Sequence, residues 1–351
     1  MKGRVVALGH IDGREAAALM IDGLLHDLYL DAPDDSGPLP GEIHRAVADR
    51  PIKGQNGMTL KLGGGETGFL RNAKGIAPGD VLLVQVSGRA EDGKAAPVTP
   101  KLLFKGRYAI VTPDAPGLNI ARSIRDEEMR LRLHDLASEA MTRANQSTGC
   151  IIRSAAEGAD DGAILDDLDH LLSLNDAVLS EAEGKGPELL CAAPSSHYRA
   201  WVEWATPPPD MVDDSAEALA NHGVLDQFED LSNAAIRLSE GGHYYVEETR
   251  ALIAVDVNTG GDFSFAAGLK ANLATLRDLP RQLRLRGLGG QIVIDMAPMP
   301  KKERRAAEQT IARAFKSDGV ETIFVGWTPL GHIELQRKRD RIPLRLLLSR
   351  Q

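Results

Sequence analysis

Residues 251–262, ALIAVDVNTGGD, and residues 291–296, QIVIDM, each carry an apolar run of strand length into an aspartate, Asp256 and Asp295. Between them, 269–286 (LKANLATLRDLPRQLRLR) repeats apolar residues at helical spacing, so Leu269, Leu273, Leu276 and Leu283 are expected in the core. Arg277, Arg281 and Arg284 then fall on other faces, where a salt-bridged surface and phosphate contact are both open. Pro280 removes one backbone donor from this helix and is expected to kink it. Working outward, strand YYVE (244–247) precedes the segment, and helix KKERRAAEQTIARAF (301–315) and strand TIFVGW (322–327) follow. Alternation of strand and helix predicts an α/β layer with ligand chemistry at the strand ends.

The two aspartates end strands separated by one helix, which suits neighbouring strands of one sheet. Paired carboxylates with room for water fit one hard cation, magnesium above all. Asn258, two residues beyond Asp256, faces the same side and can orient that carboxylate through its amide. Spacing alone leaves a second reading open, in which both aspartates cap helices or turns.

Toward the N-terminus the order is less regular. Apolar runs RVVALGH and AAALMIDGLLHDLYL within 4–30 read as a hairpin of strands, and DAPDDSGPLPG (31–41) as a boundary. Short, evenly spaced strands from 41 to about 110 predict a small barrel. Gly63, Gly64 and Gly65 lack the Gly-Lys-Ser/Thr continuation of a phosphate loop and read as a strand turn. Helix, strand and helix over 111–195 form a compact α/β insertion, and TPPPDMVDD (206–214) is another irregular link.

At 351 residues the chain exceeds the size of a single core, so several compact units are expected. Hydrophobic residues at 43% and charged residues at 26% mark a globular protein rather than a disordered or membrane chain. The start MKGRVVALGH lacks a signal-peptide core and no apolar run is long enough for a membrane span, so a cytoplasmic address and no membrane partner are expected. Cys150 and Cys191 form no CxxC pair and are expected as buried thiols. A net charge of −9 argues against a protein that coats nucleic acid without specificity. Acidic residues crowd 31–35, 157–168 and 210–217, while 270–286, 301–316 and 337–350 are basic, which allows a basic working face on an acidic body.

The stretch ALIAVDVNTGGD followed by ANLATLRDLPRQLRLRGLGGQIVIDM resembles the catalytic segment of the ribonuclease E/G family. The resemblance continues through GHIELQRKR (331–339) and reaches back to MKGRVVAL and AALMIDGLLHDLYL. It implies an α/β multidomain fold. An RNase H-like subdomain (1–37 and 196–248) is split around an OB-type RNA-binding barrel (38–105) and an α/β 5′-phosphate-sensor insertion (106–195). A DNase I-like catalytic domain (249–351) follows. It also implies a magnesium-dependent endoribonuclease that cuts single-stranded RNA and leaves 5′ phosphates, with Asp256 and Asp295 as Mg2+ ligands and Asn258 as support. Phe69 in TGFLRN matches an aromatic that stacks on RNA bases, with a barrel-core Phe as the alternative; Lys94 in EDGKAAP matches a basic residue of the same surface. Arg153 and Ser154 match a pair that grips a 5′ monophosphate, Gly106 and Ile110 the rest of that pocket, and Arg122 a nearby RNA-binding basic residue.

Several positions depart from the family pattern. No CxxC zinc link follows, so a zinc-linked tetramer is not expected and a homodimer stays open. The loop after Asn258 is short, Pro298 stands where an Asp is typical, and Leu60 replaces a second barrel aromatic. Arg337 and Arg339 are read either as surface ion pairs or as phosphate contacts. Two other functions remain to be weighed: an RNA-binding relative with weakened catalysis, and a metal-dependent phosphatase, which would have no use for a barrel carrying Phe69.

Overall fold

The structure, a computed structural model, describes residues 2–348 except Lys53, Gln55, Asp92 and Glu240. Met1 and Ser349–Gln351, the outer ends of the first and last expected domains, lie outside the described residues. Two compact units result: Met1–Asp22 with Tyr29–Ala218, and Gly23–Leu28 with Leu219–Gln351.

The first unit opens with β1 (Arg4–Ile11) and β2 (Arg14–Ile21), paired along their full length. Asp12 and Gly13 both take positive φ (51° and 76°), the turn whose twist matches that of two antiparallel strands. A second Asp-Gly pair, Asp22 and Gly23, repeats these angles (51° and 80°) and splits the second apolar run, so β3 (Leu24–Leu30) is a separate strand rather than part of a two-stranded hairpin.

Next come β4 (Ile43–Ile52), β5 (Gly57–Lys61), β6 (Thr67–Arg71), β7 (Val81–Val86) and β8 (Ala96–Thr99). They run in the order β4-β5-β6-β8-β7, and a further β4–β7 pairing closes the five-stranded, OB-type barrel. Closure depends on the length of β4. Its first half, to Val47, pairs with β7, and from Val47 onward it pairs with β5, with a bulge at Ala48/Arg50 inside that second pairing. Met58, Leu60, Leu70, Val84 and Val98 fill the interior. Gly63–Gly65 is the expected turn between β5 and β6; a Cβ on Gly63 would lie 2.3 Å from the Leu189 nitrogen, so only glycine allows that approach.

The insertion holds β9 (Phe104–Lys105), β10 (Ala109–Thr112), β11 (Gly117–Ile120) and β12 (Gly149–Ile152) in the order β11-β12-β10-β9. Helices α1 (Glu127–Met141) and α2 (Asp161–Ser180), capped by Asp126 and Asp160, pack on it through Leu133, Ala137, Ile164, Leu168 and Leu171. Cys150 is buried there, and burial pushes its thiol up to about 12. Cys191 is only half-buried, so the expectation of two buried thiols holds for one. Then β13 (Glu188–Cys191) pairs with β4, α3 (Ser196–Glu203) follows, and β14 (Met211–Asp213) runs parallel to β1.

The second unit is a two-layer α/β structure. Strands β15 (Ala235–Arg237), β16 (His243–Glu248), β17 (Ile253–Asn258), β18 (Gly290–Asp295), β19 (Thr322–Trp327) and β20 (Ile333–Arg337) form one sheet ordered β15-β16-β17-β18-β20-β19. The sheet therefore begins ahead of residue 249, because β16 pairs with β17 along six residues. Only β17 and β18 are parallel, joined by helix α4 (Phe265–Leu285). Alternation along the strands sends Tyr244, Val246, Ile253, Val255, Ile292, Ile294, Ile333 and Leu335 to one face. There they meet α4 and α5 (Arg304–Lys316) through Leu276, Leu279, Leu283, Ala307 and Ile311. Leu276 and Leu283 are buried as expected, Leu269 and Leu273 half-buried, and α4 continues past the buried Pro280 to Leu285.

Two arginines left open between surface and phosphate contact are structural. Arg337 is 2% exposed, its Nη1 2.5 Å from Asp318 Oδ2 and bonded to Thr322 Oγ1 at 2.9 Å. Arg284 pairs with Asp318 and reaches Asp27 (3.5 Å), whose carboxylate also takes two bonds from Arg341 at 2.5 and 3.0 Å. Burial opposes charge on Asp27, but the guanidiniums of Arg341 and Arg284 outweigh it and hold its carboxyl below the ordinary carboxylate range.

Candidate active site

The site grows out of the parallel pair. Asp256 on β17 and Asp295 on β18 are register partners, about 4.8 Å apart by strand spacing. Val255, Val257 and Ile294 beside them point into the core, so both carboxylates project from the opposite face, where both are exposed. The amide of Asn258 donates from Nδ2 to Asp256 Oδ2 at 2.9 Å, fixing one carboxylate oxygen and leaving Oδ1 for a ligand. The reading of these aspartates as helix or turn caps finds no counterpart in the hydrogen bonds of the described residues.

Three further side chains that sequence reasoning missed flank the pair. His332 Nε2 lies 3.6 Å from Asp295 Oδ1, held by the turn in which Thr328 N donates to His332 O and His332 N to Thr328 Oγ1. On the other side Tyr245 is the cross-strand partner of Asp256, and His243 that of Asn258, with their rings edge to face at 5.3 Å. The period of two in HYY, set against VDVN, carried the signal for the last two.

Behind the carboxylates, buried Asn272 of α4 ties down the chain beyond Asp295. Its Nδ2 donates to Ala297 O (2.8 Å), and Ala297 N donates to its Oδ1 (2.9 Å). One turn earlier, a Cβ on Gly268 would lie 2.2 Å from the Pro298 oxygen, so helix and loop touch backbone to backbone.

These residues suit a hydrated hard cation. Among the described residues no group of three or more His, Cys, Asp or Glu is placed to hold a metal. Two carboxylates and a supporting amide, open to water, are instead the sparse oxygen set that magnesium takes when substrate phosphates complete its shell.

Phe69 lies on the outer surface of the barrel. Gly68 and Leu70 point inward while the Phe69 ring covers Gly57, where a Cβ would meet it at 2.4 Å. Leu60 is fully buried, and outward-facing Thr59 is the cross-strand neighbour of Phe69. Lys94 is exposed and paired with Glu91 at 2.5 Å.

Gly106, Ile110, Arg153 and Ser154 come together where β10 pairs with β12, and Arg122 follows Ala121, whose N–H bonds Ile152 O. Gly106 makes room for buried Asp167, which accepts from the N–H groups of Tyr108 (2.7 Å) and Ala109 (3.1 Å). Arg153 Nη1 already donates to the carbonyls of Gly106, Arg107 and Val202, and its Nη2 lies 3.7 Å from Glu203. Its Nη1 is thus occupied within the protein, and its Nη2 faces the Glu203 carboxylate. Arg107 stacks over half-exposed Trp201 at 5.3 Å beside this cluster.

Comparison with known proteins identifies the architecture: the ribonuclease E/G family pattern matches residues 104–212 and 206–340. The chain belongs to the ribonuclease E/G family. It is 24% identical to ribonuclease G of Salmonella typhimurium over 95% of its own length and 80% of that protein's. Ribonuclease G of Escherichia coli K12 is 25% identical with the same coverage. Ribonuclease E of Nostoc is 27% identical over 86% of this chain, which spans 51% of that longer protein. In this ribonuclease E/G chain the matched segment 206–340 contains Asp256, Asn258 and Asp295.

Proposed function

We propose that this protein is a magnesium-dependent endoribonuclease that hydrolyses internal phosphodiester bonds of single-stranded RNA in cytoplasmic RNA processing or decay, leaving 5′-phosphate ends. The observation that carries the reading is the register of Asp256 with Asp295 on paired parallel strands, with Asn258 bonded to the first. Asp256 and Asp295 would hold Mg2+, which when bound lowers the pKa of water and neutralises charge on a phosphoryl oxygen. Asn258 keeps the Asp256 carboxylate from rotating, so its free oxygen stays aimed at the ion. Water attack at phosphorus breaks the bond to the 3′ oxygen and leaves a 3′ hydroxyl and a 5′ phosphate. Phe69 and Lys94 would hold the strand by stacking and charge, Gly106, Ile110, Arg153 and Ser154 would hold a 5′ end, and Arg122 would add a basic RNA contact nearby. The four-part domain division and a homodimer belong to the same reading. Among the described residues no helix is long and apolar enough to cross a membrane.

The test is Mg2+-dependent cleavage of a 5′-monophosphorylated, AU-rich single-stranded RNA by the parent chain, Asp256→Asn and Asp295→Asn. Internal cuts by the parent that either substitution abolishes support the proposal. A parent that binds the RNA yet leaves it whole in magnesium or manganese makes it an RNA-binding protein instead.

A further inference from the structure

A short loop, 259–264, joins β17 to α4; Phe263 within it and Phe265, the first residue of α4, present two exposed aromatic rings beyond the end of the strand that carries Asp256. Phe263 is 89% exposed and Phe265 62% exposed. Aromatic residues are only 4% of the chain; of the other phenylalanines Phe104, Phe228 and Phe315 are buried, Phe69 is half-buried and Phe324 is 37% exposed, so Phe263 and Phe265 are the two barest rings of this type among the described residues.

Their position is fixed from both strands of the site. The loop leaves β17 two residues after Asp256, and at Gly242 a Cβ would meet the Asn258 oxygen at 2.5 Å, so the loop base is held against the β15–β16 turn. Ser264, between the two rings, caps α4 by accepting from Ala267 N at 3.2 Å, which sets Phe265 on the first turn of the helix. That same turn is pinned to the segment beyond Asp295 by the Gly268–Pro298 contact and, one turn on, by the paired Asn272–Ala297 bonds. Phe263 and Phe265 thus stand at the carboxyl ends of both aspartate-bearing strands, with a polar anchor behind them and water in front.

We infer that Phe263 and Phe265 form a base-stacking clamp that holds an unpaired nucleobase next to the scissile phosphate. The inference rests on the endoribonuclease reading and names the part of its substrate that this loop recognises. A flat apolar ring covers the π-face of any base without reading its edges, so the clamp favours unstacked, single-stranded RNA and tolerates sequence. It also positions the phosphate that precedes or follows that base over Asp256 and Asp295.

The test scans 2-aminopurine along the RNA bound to Asp295→Asn, and measures steady-state cleavage by the parent, Phe263→Ala/Phe265→Ala and Phe265→Tyr. Stacking is expected to quench 2-aminopurine at a position flanking the cut, with fluorescence restored when both alanines are added. Loss of the two rings is expected to raise KM about 5- to 150-fold, the range that base–aromatic stacking spans, while Phe265→Tyr keeps the parent value. An abasic nucleotide at the quenched position is expected to weaken the parent but not the double variant. If the parent cleaves and the double variant matches it in KM and quenching, the clamp is refuted while the nuclease reading stands. A parent that leaves the RNA intact overturns both.

Discussion

Asn272→Ala tests whether the buried amide behind the site holds the Asp295 strand end in place. Asn272 is fully buried, and its side chain is the hydrogen-bond partner of both Ala297 N and Ala297 O, at 2.9 and 2.8 Å. Alanine removes both bonds and strands a buried donor and a buried acceptor on a residue that is itself 4% exposed. Each unpaired group costs about 1–3 kcal/mol, so the loss should be about 2–6 kcal/mol, a large part of the 5–15 kcal/mol of an ordinary domain. Urea unfolding without metal, followed by circular dichroism, reads this as a fall in midpoint at constant slope. Because Ala297 is two residues from Asp295, kcat should fall as well, in the fraction that remains folded. A change below about 0.5 kcal/mol, within the range of ordinary surface substitutions, would refute the reasoning.

Three other substitutions probe the ion network and the barrel. Asp27 has a folded-state pKa below its unfolded value, so its contribution to stability is present above about pH 4 and is lost as pH falls through the folded value. Asp27→Asn should flatten that part of the acid-unfolding profile and, near neutrality, cost about 3–5 kcal/mol by removing the buried carboxylate that faces Arg341 and Arg284; an unchanged acid profile counts against the network. Phe69→Ala should raise KM for single-stranded RNA about 5- to 150-fold with little change in melting temperature, whereas Leu60→Ala should cost about 2–5 kcal/mol of stability. Equal thermal effects at the two positions would remove Phe69 from the RNA-binding surface.

The sequence by itself determined the parts set by local period and composition. Apolar runs ending in Asp256 and Asp295 specified two strands, 269–286 a helix between them, and strand-helix-strand order their adjacency. The 2.9 Å bond from Asn258 agrees with the period of two, which puts it on the same side as Asp256, whereas the register that aligns the two aspartates was decided by the sheet. The second Asp-Gly turn, at residues 22–23, was written in the same local code as the first and was passed over inside a longer apolar run.

What only the tertiary structure decided concerns burial and partners distant in sequence. Arg284 and Arg337 read as surface charges because arginine is seldom buried, and they are internal because Asp318 and Asp27 arrive from elsewhere in the chain to neutralise them. Asn272 gained its role from Ala297, 25 positions on, and His332 from the hairpin that sets it beside Asp295. Phe263 and Phe265 carry a core residue type, and their exposure follows from helix α4 starting at Phe265 with its apolar stripe turned to the sheet. A residue's type and local period fix its secondary structure and its side of a strand or helix; which distant group meets that side depends on packing, where many weak preferences are summed over the whole chain.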